Sequence, residues 1–304
     1  KKVAIHLRAQ KDELARQAAL EMGKPITQGL AEVEKCTFAM ECIADMAVKE
    51  LQEKEVLANY KKSVITPEAY GLIFSIQPWN YPYWQVLRMS ACAWMAGNLV
   101  VLKHADIVSG CAELIEKTAQ VESWKLLLNL RLTHADASEV IKSPMVHAVT
   151  FTGSTKGGKT VASVAGANLK KVILELGGSD AYIVMPDCDL DMAAKISVQV
   201  RMVNSGQSCV AGKRFFIHEQ IFSEFKKKFK EGMESYKVGD PLLESTQVGP
   251  LATLKFSESL KDQLSRARSI GAKWEPTSHE IPLNTAFSQM GILDFGSNLK
   301  EFET

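Results

Sequence analysis

The sequence predicts an α/β fold built on a mainly parallel, doubly wound sheet, in a chain of about two domains. Three observations lead there. Short apolar runs at 70–76, 99–103, 146–152, 171–176, 182–185 and 214–217 alternate with helical stretches, which is the pattern of crossover units. Amphipathic helical sequence precedes the first run. The length of 304 residues suits about two domains.

In the first helical stretch, from Val3 to Met22, Leu7, Leu14, Ala18 and Leu20 recur at helical spacing, and Gly23 with Pro25 is a stop signal. Ala31, Phe38, Ile43 and Met46 form the stripe of a second helix, over about 27–51, that packs on the first. The strands begin beyond Pro67. A doubly wound sheet binds ligands at the carboxyl ends of its strands, so residues just past each run are the candidates for chemistry. The stretch 276–304 has weak periodicity and reads as loop, edge strand or partly disordered chain.

Composition narrows the class. Apolar residues make up 46% and charged residues 23%, and 36 Lys+Arg against 35 Asp+Glu leave a net charge of +1. That balance argues against a nucleic-acid-binding basic field and against a disordered acidic chain. The most apolar stretch, 90–102, is interrupted by Gly97 and Asn98 and stops at Lys103, short of the roughly 20 residues a membrane span needs. The opening Lys1-Lys2-Val3 lacks the apolar core of a secretory signal. Six scattered cysteines without a CxxC pair argue against a zinc site and against a disulfide scaffold. No metal is expected, and the expected compartment is intracellular, cytoplasm or mitochondrion.

A lone Cys is more often an inert buried hydrophobe, but Cys209 sits in the Gly/Ser-rich stretch 204–212 after a helical run, with little apolar cover, which weakens that reading and leaves a reactive thiol open. Glu175 ends an apolar run beside Gly177 and Gly178, the setting either of a general base whose pKa is raised by burial or of a solvated strand-end charge. Asn80 lies in Pro78-Trp79-Asn80-Tyr81-Pro82, where two prolines stiffen the backbone and can hold its amide as a fixed donor, or as an ordinary turn residue. Gly153 through Thr160 satisfies the phosphate-loop pattern GxxxxGK[ST], in which Lys159 reaches a nucleotide phosphate and Thr160 binds Mg²⁺. The competing reading is a glycine turn that presents a helix N-terminus to a dinucleotide.

Taken together, Pro78-Trp79-Asn80-Tyr81-Pro82, Phe151-Thr152-Gly153-Ser154-Thr155, Glu175-Leu176-Gly177-Gly178 and Gly206-Gln207-Ser208-Cys209 resemble the aldehyde dehydrogenase superfamily in order and rough spacing, from about Met22 to about Pro276. The likeness is closest to the succinate-semialdehyde branch, where Leu102-Lys103-His104-Ala105 and Ser179-Asp180 also fit. The resemblance implies an aldehyde-dehydrogenase-like fold, with a Rossmann-type NAD(P)-binding domain and its N-terminal helices over 1–176, a truncated α/β catalytic domain over 177–290 and a tail over 291–304. It implies NAD or NADP as cofactor, a small aldehyde as substrate, and a homo-oligomer or a subunit of a larger complex.

Residue by residue, the resemblance makes Cys209 the nucleophile, Glu175 the base and Asn80 the oxyanion donor. It gives the cofactor Trp79, Lys103, Asp106, Gly153, Ser154, Gly158, Leu176 and Gly177. Asp106, at a ribose-binding position, favours NAD over NADP. Arg88 and Arg201 are the candidates for holding a substrate carboxylate, or else cap helices and pair with surface acids.

The chain also departs from the family pattern. The family's Glu-x-Phe-Gly-Pro and Pro-Phe-Gly-Gly segments are absent, Val203 stands where some relatives carry Arg, and Val121-Glu122-Ser123-Trp124-Lys125 replaces a Leu-Pro-x-Gly-Val turn. A second reading therefore stands beside the enzyme, an inactive structural or assembly subunit whose sheet has uncovered apolar surface. A phosphate-loop nucleotide hydrolase is the third.

Overall fold

The computed structural model describes residues 1–296. In chain order the main elements are α1 (Lys2–Ala9), α2 (Lys11–Met22), α3 (Ile26–Glu50), β1 (Lys54–Glu55), β2 (Val64–Ile65), β3 (Leu72–Gln77), α4 (Trp84–Met95), β4 (Leu99–His104), α5 (Ser109–Thr118), β5 (Gln120–Val121), β6 (Trp124–Lys125), β7 (Leu127–Asn129), α6 (His134–Lys142), β8 (Val146–Gly153), α7 (Thr155–Ala167) and β9 (Lys171–Leu176). They continue with β10 (Ala181–Val184), α8 (Leu190–Met202), β11 (Arg214–Ile217), α9 (Glu219–Glu234), α10 (Leu254–Ser269), β12 (Lys273–Pro276) and β13 (Gly291–Asp294).

The chain forms two compact units, one of Lys1–Glu21 with Gly29–Gly177, the other of Met22–Gln28 with the chain from Gly178 onward. The first holds a five-stranded, all-parallel sheet in the order β7-β4-β3-β8-β9. The first strand is central and the order reverses between β3 and β8, so the carboxyl ends of those two strands flank the switch point of a doubly wound sheet. Its strands are apolar runs because parallel strands are covered on both faces. Phe74, Val101, Val149 and Phe151 pack with Ile141 of α6 and Val161 and Ala165 of α7 in one core cluster.

In the second unit β10 and β11 pair in parallel under α8 and α9, with Val184, Val198, Met202, Phe225, Phe229 and Met233 at its core. The amphipathic stripe of α9 points three of these residues inward. On the pair's other side Ile183 and Met185 remain exposed.

Several sequence expectations need correction. The single helix over Val3–Met22 is two, because the backbone at Gln10 leaves helical geometry, with φ −110° and ψ 14°. The strand β7 escaped notice because it has only three residues behind the β5–β6 hairpin, and the two-residue strands β1 and β2 went unread as well. Within 276–304, and so at the start of the expected tail, the edge-strand alternative holds for Gly291–Asp294, which pairs antiparallel with Lys273–Pro276. Residues 297–304 of that tail lie outside the described residues.

Candidate functional site

The carboxyl edge of the first unit's sheet collects most of the predicted site residues. At the end of β3, Gln77 leads into Trp79 and Asn80, and the turn passes straight into α4, whose first amides are capped from elsewhere. The Tyr83 and Trp84 N–H groups both donate to Glu32 Oε1 at 2.9 Å. A buried carboxylate at a helix N-terminus satisfies donors that have no partner within the helix.

One strand over, at the end of β4, the Lys103 ammonium donates to the His104 carbonyl and to Asp106 Oδ1, both at 3.1 Å. Lys103 is buried, whereas the Asp106 carboxylate is largely exposed. The two residues expected to meet a ribose therefore meet each other first. His104 is buried, and loss of hydration brings its pKa down to about 4.

Beyond β8 the helix starts almost at once. Ser154 is the N-cap of α7, its Oγ accepting the Gly157 N–H at 3.1 Å. Gly158 is buried inside α7 against β9, where an added Cβ would come within 2.5 Å of Leu176 Cδ2. It lets the helix lie close on the strand, one of the uses of glycine in dinucleotide folds.

This geometry decides against the phosphate-loop reading. Lys156 through Thr160 are helical from the first turn onward, so a single residue, Ser154, separates strand from helix. A loop that wraps phosphates needs extended chain there. Lys159 and Thr160 point to solvent from the second turn.

Glu175, on the edge strand β9, is the solvated strand-end carboxylate of the two alternatives rather than a buried one: its side chain keeps 56% of its exposure, and its Oε2 lies 4.0 Å from Arg88 Nη2. The sequence did not foresee this pairing of the candidate base with a candidate substrate arginine, two groups 87 positions apart. The Arg88 Nε is buried without a hydrogen-bond partner among the described residues.

In the second unit, Cys209 is exposed on the loop after α8. Asn204, Ser205 and Gly206 precede it in three successive left-handed conformations, with φ of 54°, 53° and 76°. Lys213, which sequence reasoning missed, donates from Nζ to the Cys209 carbonyl at 2.9 Å and to the Gly178 carbonyl at 2.6 Å. A cation four residues beyond a candidate nucleophile is the signal that could have found it. Arg201 is mostly buried beneath this loop. Its Nη1 is 3.5 Å from the Gly206 carbonyl, burial pulls its pKa below the ordinary value, and no carboxylate among the described residues lies within ion-pair distance.

The fit of the first unit to a dinucleotide can be tested on its own atoms. Gln77 Oε1 and Thr152 Oγ1, at the carboxyl ends of the two strands that flank the switch point, are buried without hydrogen-bond partners among the described residues. One of these is a hydroxyl and the other an acceptor, so together with the N-terminus of a 13-residue helix they suit a polar ligand that offers donors as well as anionic oxygens. No helix among the described residues is long and apolar enough to cross a membrane, and no cluster of three metal-ligating side chains occurs among them.

Comparison with known proteins agrees with this architecture. The model of the aldehyde dehydrogenase family matches residues 1–290. A probable succinate-semialdehyde dehydrogenase [NADP(+)] of Synechocystis sp. is 40% identical over 90% of this chain and 60% of its own length. The succinate semialdehyde dehydrogenase [NAD(P)+] of Escherichia coli K12 is 39% identical over 88% of this chain and 58% of its own. Among solved structures, succinic semialdehyde dehydrogenase from Streptococcus pyogenes in complex with NADP+ superposes with a TM-score of 0.92 at 31% identity, covering 98% of this chain and 66% of that one. The chain spans about 60% of the length of the curated relatives it matches. A sheet of this order, its motifs in sequence along one edge, and a family model that runs over nearly all of the described residues have one common explanation: the chain belongs to the aldehyde dehydrogenase family.

Proposed function

We propose that the protein oxidises a short aldehyde, succinate semialdehyde or a close analogue, to the carboxylate through a thioester on Cys209, with NADP or NAD as the oxidant. The observation that carries this reading is the 40% identity, over 90% of the chain, to a relative named for that activity, with Cys209, Glu175 and Asn80 each inside a motif of the family. Bound nicotinamide supplies the hydride acceptor. Ser154 and the N-terminus of α7 hold its pyrophosphate, Lys103 a ribose hydroxyl, and Trp79 lines the cleft; Gly153, Gly158, Leu176 and Gly177 shape the turn. The Lys103–Asp106 pairing partly neutralises the acid that would repel a 2′-phosphate, which supports NADP.

In this reading the Cys209 sulfur attacks the aldehyde carbon, and the Asn80 amide and the Cys209 N–H hold the oxyanion. Glu175 takes a proton from the water that hydrolyses the thioester. Arg88, with Arg201 as a second candidate, binds the distal carboxylate of the substrate. Exposed apolar residues on the β10–β11 pair support assembly with a further chain, a second copy or a larger complex.

The test is absorbance of reduced nicotinamide with succinate semialdehyde and NADP or NAD, for the wild type and for Cys209→Ala. Turnover lost in the variant is the expected result. A folded protein that binds NADP and turns over no aldehyde would instead point to a structural subunit. The absence of any NAD(P) binding would remove the enzyme reading.

A further inference from the structure

The nucleophile loop is held in a conformation that polypeptide does not adopt unaided. Left-handed φ at two consecutive non-glycine residues costs free energy and persists only where surrounding contacts over-determine it. At Asn204 and Ser205 those contacts are visible. The Ser205 hydroxyl accepts the Gly249 N–H at 3.0 Å, the Gln207 Oε1 accepts the Ala252 N–H at 2.9 Å, and Asn204 and Gln207 exchange side-chain-to-carbonyl bonds at 3.2 Å.

The remaining contact comes from the far end of the sequence. Gln28, in the first turn of α3, accepts the N–H of the buried Asn204 on its Oε1 at 2.6 Å and donates its Nε2 to the Gln247 carbonyl at 2.9 Å. Both ends of its amide are committed, so the side chain has one orientation. The segment that carries it is itself seated in the second unit. The Ile26 N–H donates to the Pro241 carbonyl at 2.8 Å, and Gly23, at φ 74°, leaves no room for a side chain, since a Cβ would meet the Pro250 carbonyl oxygen at 2.7 Å.

We propose that Gln28 is a positioning residue for Cys209: by accepting the Asn204 N–H it locks the left-handed turn, and the turn fixes where the exposed sulfur stands. The inference rests on Cys209 being the nucleophile. A released turn relaxes toward ordinary backbone, so the sulfur is no longer presented at one exposed position and reacts more slowly with an external electrophile.

Peptide-resolved alkylation by iodoacetamide at pH 7 tests this without requiring turnover, with the exposed Cys92 and Cys188 as internal references. Gln28→Leu removes both hydrogen bonds, whereas Gln28→Glu keeps the acceptor toward Asn204. The expected result is Cys209 alkylation slowed about tenfold in Gln28→Leu and within about threefold of wild type in Gln28→Glu, with the Cys92 and Cys188 rates unchanged in both. An unchanged Cys209 rate in Gln28→Leu, or a common shift of all three thiols that marks general loosening, overturns the proposal. A wild-type Cys209 no faster than Cys188 overturns instead the nucleophile reading on which it rests, so the two failures are separable.

Discussion

Acidification should charge His104 and destabilise the first unit, because the fold accommodates only the neutral ring. Its Nε2–H donates to the Pro82 carbonyl at 3.0 Å, and its Nδ1 accepts the Ala105 N–H at 2.9 Å. A second proton on Nδ1 would face that N–H and gain only the Gln77 carbonyl, 3.2 Å away. Burial lowers the pKa from 6.5 to about 4, although the Pro82 and Gln77 carbonyls partly favour the charged form. Between those values the unfolded chain binds a proton that the folded chain refuses. The contribution is therefore complete above pH 6.5 and is lost as the pH falls toward 4. At about 1.4 kcal/mol per unit the whole gap is worth about 3 kcal/mol, of which about 2 kcal/mol falls between pH 7 and pH 5.

Urea unfolding followed by tryptophan fluorescence measures this, with His104→Phe as the non-titrating reference. The variant should cost about 1–3 kcal/mol at pH 7, where it leaves the Pro82 carbonyl and the Ala105 N–H unpaired. That cost should shrink by about 2 kcal/mol at pH 5. Asp136 and Asp294, whose pKa values are lowered by hydrogen bonds from Thr133 and Lys226 respectively, also lose support in acid, but they do so in both proteins and cancel. Equal differences between wild type and variant at the two pH values would refute the reasoning.

Three substitutions probe the carboxyl edge of the sheet. Ser154→Ala should lower stability by about 1 kcal/mol in the same urea titration, through loss of the N-cap bond to Gly157, and should weaken NADP binding in fluorescence titration. Gly158→Ala should cost about 1–3 kcal/mol by driving a methyl into Leu176, while Gly166→Ala in the same helix, with nothing within 4 Å, should be neutral or stabilising. Arg88→Gln should raise the KM for succinate semialdehyde about ten- to a hundredfold and leave that for a neutral aldehyde nearly unchanged; equal effects on both would assign Arg88 to Glu175 rather than to substrate.

The strands were legible because a parallel strand covered on both faces must be a run of apolar residues. The runs at 99–103 and 146–152 lie within a residue of β4 and β8, both interior strands. Edge strands carry no such constraint, and Leu127–Asn129, paired on one side only, has the composition of a loop. The site divides in the same way. Cys209, Glu175 and Asn80 stand out because glycine or proline punctuates the chain beside them. Gln28 and Glu32 do not, because each bonds backbone groups more than fifty positions away and no local pattern encodes such a bond; Lys213, four residues past Cys209, is the support that the sequence could have shown.

The string Gly153–Thr160 shows why a pattern and its chemistry can separate. A phosphate loop and a dinucleotide turn both place glycines between a strand and a helix, and at that level the two spellings coincide. What distinguishes them is the residue at which the helix begins. Here the Ser154 hydroxyl captures the Gly157 N–H and starts α7 one residue after β8, so Lys159 is already a second-turn helical side chain when a phosphate loop would still be open. One capping bond thus removes the nucleotide-hydrolase geometry and leaves an exposed helix N-terminus at the switch point of the sheet. The same reasoning predicts that Lys159→Ala leaves NADP binding unchanged in the titration where Ser154→Ala weakens it; a loss equal to that of Ser154→Ala would mean that the phosphates reach past the first turn and that the assignment of this edge is wrong.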